Sequence, residues 1–374
     1  MLLINKINFI LFFILFFLQE TQHYNLLILG LLIILALINI NLSKIKIPQI
    51  FNISLLFYFF YLIRGFFYAY QNPTIDIKFH VFMFVLFLIF FNSKNFNYLK
   101  LFFTLNVFVL LIYLLLFFKF IPNFWHEEYF GGFKGRLYGP SITAFIYIAF
   151  IYLYEKRKSD KNLVFSFLIA LVYILLTTNF MNLIIIIILF GLILVDLKKI
   201  FNYKIIFTFL ISIFAFILLI QSPFIPELSK KKLKYLSNPL EYPSLKMRVS
   251  DLKQAITKEK YTTLELFFGK GFGANTAIYR ENNKAKSLSR TLVFQEIDNG
   301  FYYLFHRGGF SLLFLFLATS VFFILKIPTF NAKVAFFSIL LITNLLSIHI
   351  YNYIFYIFII YFIMSHPKSK RITF

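Results

Sequence analysis

Long apolar runs alternate with short polar gaps along most of the chain, and many of the runs approach the roughly 20 residues that a membrane-crossing helix needs. The pattern predicts spans at Ile7–Leu18, Leu26–Leu42, Ile50–Tyr68, Phe79–Phe91, Leu99–Ile121, Ser141–Tyr154, Leu163–Thr178, Asn182–Val195, Ile205–Ile220, Asn299–Leu325, Val334–Ile350 and Tyr353–Met364, about twelve in all. If these spans simply alternate in direction, the cation-bearing gaps "SKIK", "NSKNFNYLK", "EKRKSDK", "DLKK" and "LKIPTFNAK" and the tail "HPKSKR" share one side. Cations of this kind mark the cytoplasmic face, which puts both termini there. The gaps on the other side, "QETQHY", "AYQNPTID", "TTNFMN" and "SIHIYN", hold almost no Lys or Arg. The first run lacks a small-residue cleavage site after it, so it is expected to stay as a span rather than to be a removable signal.

Composition strengthens the membrane reading. Of 374 residues, 60% are hydrophobic and 22% aromatic, and the mean hydropathy is +0.81, against roughly 45–50% apolar residues in soluble domains. The net charge of +22 lies largely in the short gaps, where it orients spans and does not imply nucleic-acid binding. With no cysteine there is no disulfide, no thiolate metal site and no catalytic thiol, so any chemistry rests on oxygen and nitrogen groups.

Two outer gaps break the rule of short connections. One is "PNFWHEEYFGGFKGRLYGPS". The other covers residues 222–298, roughly 75 residues where two to eight are usual between packed helices. The expected architecture is an all-α integral membrane protein. It has an N-terminal bundle of about nine spans (residues 1–221), one large extracytoplasmic loop with short helices (222–298), and C-terminal spans with a cytoplasmic tail (299–374). Within the loop, "YPSLKMRVSDLKQAITKEK" predicts an amphipathic helix opened by Ser244, with Leu245, Val249, Leu252 and Ile256 on one stripe and Arg248 at its edge.

The loop's cations outnumber its acids, which points to an anionic partner such as a phosphate-bearing lipid or glycan donor; the alternative is a basic loop resting on anionic headgroups. Arg136 in "FKGRLYGPS" and Arg248 in "SLKMRVSD" suit a bidentate grip on a diphosphate, and either could instead snorkel at the interface. "FFGKGFGANTAIYR" supplies Lys270, Gly271, Gly273 and Arg280, a glycine-rich turn that either approaches phosphate or only reverses the chain. It is not a nucleotide-binding signature. "FQEIDNGFYYLFHRGGFSLLF" places Asp298 and Asn299 at the mouth of a span that carries His306 and Arg307. Ionisable groups within a span read as functional. Asp298 fits a general base or a helix N-cap, and His306 fits either core packing or a pair with an acid. Arg64 is expected to snorkel outward, and Phe124, Trp125, Tyr129 and Tyr279 are candidates either for stacking on sugars or for an interfacial belt.

The order of these segments, Arg-x-x-Gly before a mid-chain span, an Arg-bearing helix in a long outer loop, "FGKGFG", then "DN", "YYL" and a glycine pair in the next span, resembles the O-antigen polymerase and O-antigen ligase superfamily over roughly Arg136–Pro140 and Arg248–Gly309. The resemblance implies a membrane glycosyltransferase that acts on undecaprenyl-diphosphate-linked oligosaccharides at the periplasmic face of the bacterial inner membrane, with no cofactor or metal. Arg136 and Arg248 would hold the donor diphosphate. Asp298 stands where the ligase pattern has His, a departure that favours a polymerase of repeat units over a ligase to lipid A core. Membrane lipids, and a polysaccharide chain-length regulator, are the other partners it suggests. A lipid-linked oligosaccharide flippase is the rival from another class, but it would be expected to show internal repeats and midplane polar residues across several spans.

Overall fold

Runs of Leu, Ile and Phe free of proline favour helix, since straight side chains lose little rotamer freedom there and the backbone satisfies its own hydrogen bonds. The structure, a computed structural model, describes residues 2–21, 25–39, 56, 59–61, 63, 64, 76, 98–118, 120–122, 140–155, 160–177, 180–197, 235, 238, 241–280, 290–294 and 297–346. The helices in the expected apolar runs are α1 (Leu2–Thr21), α2 (Asn25–Asn39), α3 (Tyr98–Phe117), α4 (Pro140–Glu155), α5 (Asp160–Thr177), α6 (Phe180–Leu197), α9 (Gly300–Lys326) and α10 (Phe330–Leu346). The expected loop contains α7 (Pro243–Lys258), α8 (Thr263–Phe268), β1 (Thr276–Arg280) and β2 (Arg290–Phe294). Among the described residues, one helix, α9, is long and apolar enough to cross a membrane by length and composition. The runs predicted at 50–68, 79–91, 205–220 and 353–364 lie wholly or mostly outside the described residues.

Contacts divide the chain into two units. The first is Met1–Ile40, Ser93–Asn238 and Ile327–Ser338, and the second is Asn41–Asn92, Pro239–Lys326 and Ile339–Phe374. In the first, α4 packs on α3, α5 and α6, and α1 packs on α2, α3 and α4. Aromatic rings fill its interior. Phe102 meets Tyr147 at 4.8 Å between ring centres, and Phe167 stacks on Phe190 at 4.5 Å. Thr329 caps α10 by accepting from the Ala332 amide, while its hydroxyl donates to the Leu153 carbonyl at 2.8 Å.

The second unit carries the loop elements. The described residues are mostly helical, as expected, and the loop departs from an all-α fold in one place: β1 and β2 form an antiparallel pair, with Thr276 opposite Phe294 and Arg280 opposite Arg290. "TAIYR" and "RTLVF" are rich in β-branched and aromatic residues that suit a half-buried pleated surface. Along β1, Thr276 and Ile278 are buried while Ala277 and Tyr279 are exposed, the period-2 alternation of a strand. The Gln254 side chain of α7 bonds both the carbonyl and the amide of Tyr279. Those groups would otherwise be left open on a strand edge.

The helix α7 differs from expectation in two respects. Its N-cap is Tyr242 with no side-chain cap, and Pro243, not Ser244, opens it, because proline at the first helical position gives up an N–H that has no helical partner anyway. Its buried residues are Asp251 and Ala255, with Leu252 packed on a cluster of Ala255, Ile278, Ile297 and Tyr302. Val249 and Ile256, on the predicted apolar stripe, stay 52% and 61% exposed. The packing of Ala255 and Leu252 on that cluster, together with the contacts of Arg248 to Asp298 and to the Leu346 carbonyl, sets which way this helix faces.

Candidate functional site

Arg248 and Asp298, 50 positions apart in sequence, meet in an ion pair with the guanidinium Nε 3.1 Å from the carboxylate. Both remain open to solvent, at 31% and 50% side-chain exposure. Arg248 Nη1 also donates to the carbonyl of Leu346, the last residue of α10, at 2.5 Å. A cation at a helix C-terminus satisfies an orphan carbonyl and complements the dipole. Asn299 completes the junction: its Nδ2 donates to the Leu345 carbonyl at 3.0 Å, and its Oδ1 accepts from the Tyr302 amide at 2.8 Å. Asn299 is therefore the N-cap of α9, the role sequence reading offered to Asp298. Relieved of capping, Asp298 presents its carboxylate to Arg248. Two helix ends and one side of α7 thus hold a half-exposed cation and anion side by side.

The glycine-rich turn is committed internally. After α8, whose N-terminus carries a reciprocal Thr262–Glu265 capping box, the amides of Lys270 and Gly271 donate to the carbonyls of His306 and Arg307 at 2.8 and 2.9 Å. The amide of Gly273 donates to Asp76 at 2.6 Å. The carbonyls of His306 and Arg307 are free to accept because α9 is broken at Gly309, which sits at φ 61°, ψ −162°, a conformation open essentially to glycine. A Cβ on Gly269 would fall on the Arg307 carbonyl, and one on Gly309 would fall on the Phe267 carbonyl, so "FGKG" and "RGG" pack backbone against backbone. Tyr61 donates to the freed Gly308 carbonyl at 3.0 Å and bonds Ser311. The amides of Lys270, Gly271 and Gly273, read from sequence as a cradle for a bound phosphate, are all spent on protein acceptors.

The side chains of the same segment are likewise paired. Lys270 Nζ lies 2.5 Å from Glu259 and over the Tyr261 ring. Arg307 is buried and pairs through Nε with Asp76 at 3.1 Å, and its guanidinium covers the Tyr303 ring. Asp76 is 1% exposed and also accepts from the Tyr303 hydroxyl at 2.5 Å. His306 is fully buried. Tyr261 contacts its Nδ1 at 2.8 Å, Tyr302 stacks on its ring, and Thr276 faces its Nε2. Burial first, then the Tyr302 phenol and the Glu259 and Glu265 carboxylates, raise the Tyr261 hydroxyl above its ordinary range, so it remains a phenol. His306 and Arg307, read from sequence as functional groups within a span, lie in this interior network on the loop side of the Gly309 break.

Of the residues singled out from sequence, the structure brings Arg248, Asp298 and Asn299 together and holds Lys270, His306 and Arg307 apart in closed contacts. Arg136 lies outside the described residues, as does the side chain of Arg280. Arg64, expected to snorkel outward, is buried at 8% exposure, and its charge is felt by Glu265. Sequence reading missed Asp76, Glu259 and Tyr61. Asp76 left a usable trace as a lone acid in an outer gap of a strongly basic chain, where an acid that is buried must find a cation.

Comparison with known proteins finds no matching family model, no similar curated protein and no similar solved structure.

Proposed function

We propose that this chain is a membrane-embedded glycosyltransferase that joins polyprenyl-diphosphate-linked oligosaccharide repeat units on the outer face of the cytoplasmic membrane. The supporting observation is the half-exposed Arg248–Asp298 pair at the head of the long apolar helix α9. The chemistry needs two groups at one place. A cation must meet the negative charge that builds on the departing diphosphate, and a base must take the proton of the attacking hydroxyl.

In this reading the acceptor hydroxyl oxygen bonds to the donor's anomeric carbon as the bond from that carbon to the diphosphate oxygen breaks. The electron pair leaves with the polyprenyl diphosphate toward Arg248, and the hydroxyl proton passes to Asp298. Donor diphosphate competes with Asp298 for Arg248, so donor binding would loosen the pair and free the carboxylate for its role. Arg136 is proposed as a second cation at the diphosphate. The donor carries its own activation, and transfer needs no nucleotide.

The test is a gel of surface polysaccharide from a deletion strain restored with wild type, Arg248→Ala or Asp298→Ala. Polymerase function predicts collapse of the ladder to a single repeat on deletion, and no restoration by either variant at normal membrane abundance. Full restoration by both variants overturns the mechanism. Complete loss of repeats from the core on deletion, with full-length polymer kept on its lipid carrier, selects a ligase instead.

A further inference from the structure

The apolar stripe of α7 does not coincide with its buried face, and the mismatch has a consistent arrangement. At ~100° per residue, the order around the helix runs from buried Asp251 and Ala255 through Arg248 to Leu252, Leu245, Ile256 and Val249, then to Lys253 and Lys246. Leu252 and Leu245 are half-buried, Ile256 and Val249 are exposed, and Lys253 and Lys246 are exposed. The apolar edge is thus flanked by the site arginine on one side and by lysines on the other. Val249 and Ile256 lie side by side and exposed on a helix whose remaining outer surface is Lys, Ser and Thr with the single Met247 on the far side, and they gain nothing from water. Bordered by lysines, they match a bilayer surface, where apolar side chains enter the headgroup–acyl boundary and long cationic side chains reach back to phosphates.

We infer that α7 lies on the outer surface of the bilayer with Val249 and Ile256 in the headgroup–acyl boundary and with Lys246 and Lys253 on anionic lipid headgroups. The occupant of this face is the anionic lipid surface itself. The exposed lysines give charge complementarity, and each cation near such a surface adds to binding. The inference rests on the membrane-embedded reading above and not on the proposed reaction. Its consequence concerns Arg248, which neighbours the stripe and is fixed by Asp298 and the end of α10. Seating the stripe in the boundary holds Arg248 at headgroup depth, the level at which a lipid-linked diphosphate lies.

The full-length chain, with its single tryptophan replaced (Trp125→Phe) and a reporter placed by Ile256→Trp, is reconstituted into phosphatidylcholine bilayers with and without phosphatidylglycerol. Lipids brominated at shallow or deep acyl positions serve as quenchers. The inference expects blue-shifted emission quenched most by shallow bromines, as for a side chain about 5–10 Å into the interface. It also expects quenching that weakens when phosphatidylglycerol is omitted or when Lys246→Glu and Lys253→Glu are added. A reporter at Ser250, on the outward face beyond the lysines, should emit as in water and serves as the control. Water-like, unquenched emission at position 256 overturns the inference. Quenching indifferent to lipid charge and to both lysine reversals overturns the role given to anionic lipid. The readout is position, so an inactive enzyme with a quenched reporter fails the reaction scheme alone, and an active enzyme with an unquenched reporter fails this inference alone.

Discussion

In the first unit Asn106 is fully buried on α3 with neither its amide oxygen nor its nitrogen hydrogen-bonded, and the buried hydroxyl of Ser166 on α5 is likewise unpartnered. In the second unit Asp76, equally buried, has three partners from three places in the sequence: the Gly273 amide, the Tyr303 hydroxyl and the Arg307 guanidinium. The first unit is held by aromatic and aliphatic packing that tolerates a stray polar group. The second also leaves buried amide oxygens without a partner, on Asn275 and Asn344, but around Asp76 its polar contacts each fix one position against another. A site that must present a cation and an anion at a set distance belongs in the second kind of structure, because packing alone leaves side chains free to adjust while a satisfied buried network does not.

The sharpest way to break this contrast is Asp76→Ala. It leaves Arg307 buried and uncompensated, and removal of one partner of a buried pair costs about 3–5 kcal/mol. Thermal unfolding of the purified chain in detergent should show a large loss, and a change within error would mean that the network is ornamental. Gly309→Ala comes next, since a conformation reserved for glycine costs about 1–3 kcal/mol to impose on another residue, and here the added Cβ also meets the Phe267 backbone. Reduced membrane abundance and faster proteolysis between α8 and α9 are expected, whereas Gly191→Ala on α6, where a Cβ meets nothing within 4 Å, should behave as wild type.

A smaller effect tests the cap of α8. Thr262→Ala should cost about 1 kcal/mol, read by hydrogen exchange of the α8 amides. Glu265 gives that cap a pH dependence. Burial raises its carboxyl pKa, but the Thr262 amide and hydroxyl and the Lys270 and Arg64 charges outweigh burial and leave it lowered. A lowered folded-state pKa contributes stability that is present above the unfolded value of about 4.3 and disappears as pH falls through the folded value. Protection of α8 should therefore weaken on acidification in wild type and lose that dependence in Glu265→Gln. The smallest change is expected in the first unit. Asn106→Leu removes an unsatisfied buried amide, which is close to neutral or stabilising, and a severe loss of stability there would erase the contrast between the units.

How far the sequence announced all this follows the same division. Apolar runs located α1 to α6, α9 and α10, because a helix made of Leu, Ile and Phe needs only its own backbone to be specified. The second unit was legible in its ingredients, not in its pairings. Asp298, Arg248 and Asn299 stood out as polar residues in telling places, yet nothing in local periodicity says that Arg248 reaches the end of α10, or that Asn299 and not Asp298 caps α9. The β1–β2 pair was lost in a polar interval read for cations and helix. "GKGFG" reads alike as a phosphate cradle or a tight contact until its acceptors are known, and those lie at His306, Arg307 and Asp76, the last of them almost 200 residues away in sequence.

The central claim is that Arg248 and Asp298 do chemistry and are not merely a brace between helix ends. The most direct measurement is release of polyprenyl diphosphate by the purified, reconstituted chain from a synthetic polyprenyl-diphosphate oligosaccharide, comparing wild type with Arg248→Ala, Asp298→Ala and Asp298→Asn. The account expects turnover to fall roughly 10²–10³-fold without the cation and roughly 10²–10⁴-fold without the base, with Asp298→Asn as inactive as Asp298→Ala and with thermal stability close to wild type. Turnover that tracks thermal stability across the variants, or an Asp298→Asn enzyme as active as wild type, would contradict it.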